Sequence, residues 1–132
     1  MPTASLTKRA FLVEEEIRRE EGVSPTASVP EAALLRITLG ITRIVERESL
    51  DVVIESADAD GEDWKPVLDF SQKFYCGAYR RVLDLTGRPG LRVIRARWRM
   101  CRWHTSGASP LFSFYIAWEE MEAPVRAMAA AG

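Results

Sequence analysis

The chain has 132 residues, 47% of them apolar and 28% charged, and a formal net charge of −1. That length fits one domain, since domains cluster around ~100–150 residues, and four Trp, three Tyr and five Phe exclude the aromatic-poor composition of a disordered chain. The near-neutral balance excludes a global attraction to nucleic acid or anionic membrane, so an electrostatic partner must be read from local patches.

The N-terminus, MPTASLTKRAFLVEEE, lacks an uninterrupted apolar stretch of the signal-peptide kind, and no run approaches the ~18 apolar residues of a spanning helix. The expected setting is therefore cytoplasmic or virion-associated, without a membrane partner, and residues 1–9 read as a flexible terminus. Residues 8–21, KRAFLVEEEIRREE, have the Glu, Arg and Leu content of a helix. Phe11, Val13 and Ile17 nevertheless alternate with Leu12, Glu14, Glu16 and Arg18, broken only by Glu15. Strand is preferred to helix, because the segments that follow are β. GVSPTASVPE then reads as an extended, Pro-punctuated loop.

From Leu35 to Val45 the alternation is clear: Leu35, Ile37, Leu39 and Ile41 face one way, Arg36, Thr38, Gly40 and Thr42 the other. After the polar turn ERES, Leu50, Val52 and Ile54 repeat the beat, and the two strands are expected to be antiparallel neighbours. The acidic stretch SADADGEDW raises the question of a calcium loop. With Gly61 at the sixth position, Ser56, Asp58 and Asp60 fall at ligand positions, but Val67 stands where a bidentate Glu must close the site. A hairpin fits better, with Asp60-Gly61 supplying positive φ angles and Trp64 starting the returning strand. Structural or adventitious cation binding by Asp58, Asp60 and Asp63 is the minor alternative, and no cofactor is expected.

WKPVLDF and KFYCGAYRRVLDL follow, then a TGRPG turn. In LRVIRARWRMCRW, Ile94, Ala96, Trp98 and Met100 lie opposite Arg95, Arg97, Arg99 and Cys101, so one face is apolar and the other largely guanidinium. Beyond the HTSGASP loop, LFSFYIAWEE places Phe112, Phe114, Ile116 and Trp118 inward and Ser113, Tyr115 and Ala117 outward. Residues 122–132 form an Ala-rich tail expected to be flexible. Roughly seven to nine short strands joined by Gly and Pro turns make an all-β antiparallel sandwich, jelly-roll-like, over residues 10–121.

Catalytic material is sparse. Cys76 and Cys101 form no C-x-x-C pair and read as free thiols. His104 is the single histidine, and neither Ser106, Ser109 nor Cys101 stands in a nucleophile motif with it. Carboxylates are plentiful, but nothing singles out a glycosidase pair. The main anomaly is arginine, which is concentrated between Arg80 and Arg102 with Asp84 the only acid among them, interleaved with Tyr79, Trp98 and Trp103. This pattern suits a cross-paired strand face, a protein interface, or a single-stranded nucleic acid groove. Tyr75, Tyr79, Trp103 and Tyr115 also suit a sugar-stacking platform, although alternating aromatics in a sandwich are usually core.

A strand reading L-D-V-x-I-E (Leu50, Asp51, Val52, Ile54, Glu55), a hairpin containing D-G-x-x-W (Asp60, Gly61, Trp64), an R-x-R-W strand (Arg95, Arg97, Trp98) and G-x-S-P-x-F-x-F (Gly107, Ser109, Pro110, Phe112, Phe114) occur in order. Together they resemble small β-sandwich proteins, galactose-binding/discoidin-like or jelly-roll-like, of bacteriophage and prophage structural gene clusters. The likeness covers roughly residues 34–118, and the inserted KFYCGAYRRV and the ERES turn depart from it. It implies a non-enzymatic structural or assembly module that associates with itself or with virion neighbours, and it carries over no site residue. The expected binding surface is Arg95, Arg97, Arg99, Arg102, Trp103 and Tyr115. A carbohydrate-binding module, then a nucleic-acid-binding module using the arginine strand, are the alternatives.

Overall fold

The two-residue alternation becomes nine strands in the computed structural model, which describes residues 9–44, 48–102 and 110–121. They are β1 (Arg9–Arg18), β2 (Gly22–Val23), β3 (Ala27–Ser28), β4 (Leu34–Ile44), β5 (Glu48–Ala57), β6 (Lys65–Lys73), β7 (Gly77–Asp84), β8 (Val93–Arg102) and β9 (Phe112–Glu120). No helix occurs among the described residues. The expected flexible segments 1–8 and 122–132 lie outside them, while Arg9 already belongs to β1.

A first sheet has the order β1-β9-β4-β7; a second has β2-β8-β5-β6, with β3 also pairing β8. Every pairing is antiparallel. Taking β2 and β3 as two pieces of one strand, the pairs are nested: first with last, second with next to last, and inward to the β5–β6 hairpin. That nesting is the winding of a jelly roll, the two-sheet, eight-strand solution that shields strand edges by packing rather than by closure. Between the sheets lie Leu35, Ile37, Leu39 and Ile41 of β4, Leu50, Val52 and Ile54 of β5, Ile94, Ala96 and Trp98 of β8, and Phe112, Phe114 and Ile116 of β9, all buried. Each large side chain buried there contributes about 1.5–3 kcal/mol of transfer free energy, so the alternating residues dominate the choice of fold.

Several expectations need correction. β4 and β5 are not neighbours: the chain crosses from the first sheet to the second between them, so each buries its aliphatic row against the opposite sheet. The N-terminal segment is a strand, as expected, but its faces differ. Register shifts on either side of Val13 turn both Leu12 and Val13 into the core and leave Phe11 and Ile17 each 53% exposed. Such bulges re-aim side chains that simple alternation would place wrongly. The GVSPTASVPE stretch, expected to be a loop, carries two short pairings to β8, by Gly22–Val23 and Ala27–Ser28, that no run of alternation announces. The acidic turn is a seven-residue loop, Asp58 to Trp64: the Gly61 N–H donates to the Asp58 carbonyl at 2.9 Å, and the positive φ angles belong to Gly61 and Asp63, not Asp60.

Where the two sheets part at β6 and β7, Arg81 Nη1 donates to the Asp69 carbonyl at 2.8 Å, tying one edge strand to the other. An edge carbonyl that would otherwise need solvent is thereby satisfied.

Candidate functional site

The outer face of the second sheet carries the arginine row. Register sets Arg95, Arg97 and Arg99 of β8 opposite Glu55, Val53 and Asp51 of β5. Arg95 Nε donates to Glu55 Oε1 at 2.8 Å and Arg97 Nε to Glu55 Oε2 at 3.3 Å. Arg95 also stacks over Trp64, 4.1 Å from the ring centroid, a distance at which a guanidinium is attracted to the negative face of the indole. A shallow groove of about 320 Å³ runs along this face, lined by Asp51, Asp69, Ser71, Arg97 and Arg99. A second, of about 510 Å³, continues past Glu21 and Val23 on the other side of the row. Three arginines therefore share the face with Glu55, Asp51, Asp69 and Glu21. Their charge is offset within the sheet, and the residue types that the sequence clusters by number are dispersed in space among acids from other strands.

Tyr115 is not part of that surface. It projects from β9 on the outer face of the first sheet, where its ring lies across the backbone of Gly40 and meets Phe11 edge-on, with centroids 5.9 Å apart. The Arg9 guanidinium sits 5.8 Å from the Phe11 ring and 5.9 Å from that of Tyr115. With Glu14 and Glu15 these residues line an open groove of about 560 Å³. Arg102 ends β8 opposite Glu48, and Trp103, like His104, Ser106 and Ser109, lies outside the described residues.

The remaining candidates are dispersed. Tyr79 packs inward against the core while its hydroxyl donates to the Tyr75 carbonyl at 2.6 Å, so Tyr75, Tyr79 and Tyr115 make no common platform. Asp58 Oδ1 accepts the Asp60 N–H, Asp63 Oδ2 accepts from Lys65, and no group of three or more potential metal ligands is gathered among the described residues. Cys76 is exposed and Cys101 half-buried, and both thiols are free. Asp84, at the end of β7, has its carboxyl held below the usual range by the Thr86 hydroxyl and then by the Thr86 N–H, both donating to Oδ1.

One residue that sequence reasoning missed is Glu48, which is 1% exposed and accepts the Leu111 N–H at 3.1 Å on each carboxylate oxygen. Its place in the polar ERES turn conceals this burial.

No protein-family model matches the sequence, and no curated protein does. Solved structures do share the fold. The chain superposes on the VP2 subviral particle protein of infectious bursal disease virus with a TM-score of 0.60 at 13% identity, over 86% of this chain and 31% of that one. The protein in the structure of the Gt strain of the same virus gives 0.58 at 11% identity, over 86% and 32%. The YomS protein derived from the SPBc2 prophage gives 0.58 at 10% identity, over 88% of this chain and 93% of that one. This chain thus spans about a third of each viral protein and nearly all of YomS. At such identities the likeness establishes the two-sheet architecture.

Proposed function

We propose that this protein is a non-enzymatic structural module of a phage- or prophage-like particle, acting through contacts with copies of itself or with neighbouring virion proteins. The observation that carries the reading is the nested jelly-roll winding, shared almost end to end with a prophage-derived protein and with one third of a viral particle protein. The surface chemistry supports it. A face on which arginines alternate with carboxylates and aromatic edges suits a protein partner of matching pattern, whereas a polyanion would meet Asp51, Asp69 and Glu21 beside every guanidinium it approached.

In this reading Arg97 and Arg99, the more outward members of the row, engage a neighbour, and Arg95 is committed to Glu55 and Trp64. Sedimentation velocity on the full chain tests it. The wild type is expected to sediment as species larger than the 14.9 kDa chain, and Arg97→Glu combined with Arg99→Glu to weaken that association while the circular dichroism stays that of a β protein. Unchanged sedimentation of the double variant would remove the arginine face from the assembly.

The carbohydrate reading draws on one observation, the Tyr115 ring laid flat on the sheet beside Arg9, Glu14 and Glu15, groups that can hydrogen-bond sugar hydroxyls. A glycan array decides it, with binding lost in Tyr115→Ala as the supporting result.

A further inference from the structure

Among the described residues, the first sheet ends in two edge strands of unlike character, β1 and β7. β1 exposes Phe11 and the run Glu14, Glu15 and Glu16; β7 exposes Arg80, Val82 and Asp84. Because the sheet has four strands and every neighbour is antiparallel, β1 and β7 run in opposite directions. A second copy translated along the sheet therefore brings its β1 antiparallel to β7, with outer faces continuous.

Register decides whether such a junction is favourable. Outward on β1 stand Arg9 and Phe11, level with Glu119 and Ala117 of β9. The bulge that follows spreads Glu14 and Glu15 over the single level of Tyr115. The bulges thus keep outward residues of β1 in step with a regular two-residue repeat. Outward on β7 stand Asp84, Val82 and Arg80, since Val82 and Arg80 pair with Arg36 and Thr38 on the solvent face of β4. Offsetting the second copy by two residues along the strand places Arg9 beside Asp84, Phe11 beside Val82 and Glu14 beside Arg80. Opposite charges meet opposite charges and the two half-exposed apolar side chains meet each other, the pairings that stabilise neighbouring strands. Symmetric pairings centred on Val82 (Arg80 opposite Asp84) or on Phe11 (Arg9 opposite Glu14) offer the same charge match. Each, however, leaves the other edge of the sheet and its half-exposed apolar residue unpaired, whereas the head-to-tail junction covers Phe11 and Val82 with one contact.

We infer that copies of this chain associate head to tail, the β1 edge of one adding to the β7 edge of the next so that their first sheets become one. The partner is a second copy, and the contact is heterologous, so it builds rings or filaments rather than closed two-fold dimers. This deepens the structural reading and rests on it, but it uses a surface separate from the arginine face.

Sedimentation velocity over a concentration series of the full chain tests the inference through charge reversal. Glu14→Arg and Arg80→Glu, each at an exposed position, are each expected to weaken self-association about tenfold while keeping the wild-type urea midpoint. The double reversal Glu14→Arg with Arg80→Glu restores the match at every junction and is expected to recover wild-type association, as is an equimolar mixture of the two single variants. Wild-type assemblies that ignore both single reversals, or a double reversal that stays weak, would overturn edge pairing and leave the structural reading to stand on another surface. A wild type that remains monomeric at its highest soluble concentration would overturn edge pairing and self-assembly together.

Discussion

The Tyr115 ring and the Gly40 backbone occupy adjoining strands so closely that a Cβ on Gly40 would fall 2.1 Å from the ring. Gly40 is thus the one position of β4 where glycine is required by a neighbour rather than merely tolerated, and it allows a large ring to lie flat on a solvent-facing sheet. Gly40→Ala must lift the ring, which costs more than the half to one kcal/mol that removing a strand glycine would return. We expect a net loss of about 1–2 kcal/mol in urea unfolding. In a Tyr115→Ala background the same substitution should be neutral or stabilising. Equal losses in both backgrounds would show that the ring does not govern this position.

Trp98 closes the end of the core near β1 and β2. Its Nε1 donates to the Glu20 carbonyl at 3.0 Å, its ring meets Phe114 in a T-shape at 5.4 Å, and the Arg18 guanidinium lies 5.1 Å from its centroid. A Cβ on Gly22 would stand 2.6 Å from the indole, so the short β2 strand is shaped to it. Trp98→Ala should cost about 3–5 kcal/mol, at the upper end for core truncations, because it leaves a cavity and removes the surface on which β2 rests. Thermal unfolding measures the loss. Limited proteolysis should then cut near Gly22 first, and a variant stable to within 1 kcal/mol would contradict this placement of the indole.

Much of the fold was legible because alternation is a direct record of which residues face the core. Leu35, Ile37, Leu39 and Ile41, and again Ile94, Ala96 and Trp98, are buried in the pattern the sequence displays. What alternation cannot encode is the sheet to which a strand belongs. β4 and β5 have the same beat as a hairpin and yet lie in opposite sheets. It also misreads bulges, as at Leu12 and Val13, where adjacent residues are both buried. The site was less legible for a related reason: Arg95, Arg97 and Arg99 are consecutive on one face, but the acids that offset them come from β5, β6 and the segment before β2, far away in sequence. Tyr115, grouped with them by residue type, belongs to the other sheet.

Glu55 holds two arginines at once, and its side chain is only 13% exposed. Glu55→Ala leaves Arg95, itself 21% exposed, without its carboxylate between Trp64 and the sheet. The expected cost is about 1–3 kcal/mol, more than an exposed surface pair would give, because both partners are largely removed from water. Glu55→Gln keeps the acceptor oxygen and should lose less. If the loss in the Glu55→Ala, Arg95→Ala double variant equals the sum of the two single losses, the coupling is zero and the pair is not the source of the effect.

Asp84 makes stability respond to acid. Its carboxyl is held below the usual range in the folded chain by Thr86, so the folded state prefers the ionised form more strongly than the unfolded state does. The contribution is therefore fully present above the unfolded pKa and is lost as pH falls through the lower, folded value. Because the carboxyl is exposed, the effect on stability should be small, and carbon-detected NMR titration is the measurement of choice. Thr86→Val removes the hydroxyl and should return the Asp84 titration toward the ordinary carboxylate range, with the remaining N–H leaving part of the shift. A titration indifferent to Thr86→Val would assign the shift to another cause.

Glu48 begins β5, buried at the corner where the chain passes from the first sheet to the second, and receives the Leu111 N–H that precedes β9. A carboxylate in such a place satisfies a backbone donor that would otherwise be left without a partner just before a core strand, and a charge-assisted bond of this kind is stronger than a neutral one. Glu48→Ala should destabilise the protein by about 1–3 kcal/mol in urea unfolding, and Glu48→Gln by less, since an amide oxygen still accepts from Leu111. The local signature is amide hydrogen exchange at Leu111, which should accelerate strongly in Glu48→Ala and modestly in Glu48→Gln, with the central amides of β5 and β8 following only the global change. Unaltered Leu111 exchange in Glu48→Ala would mean that the strand entry is held by something other than this carboxylate.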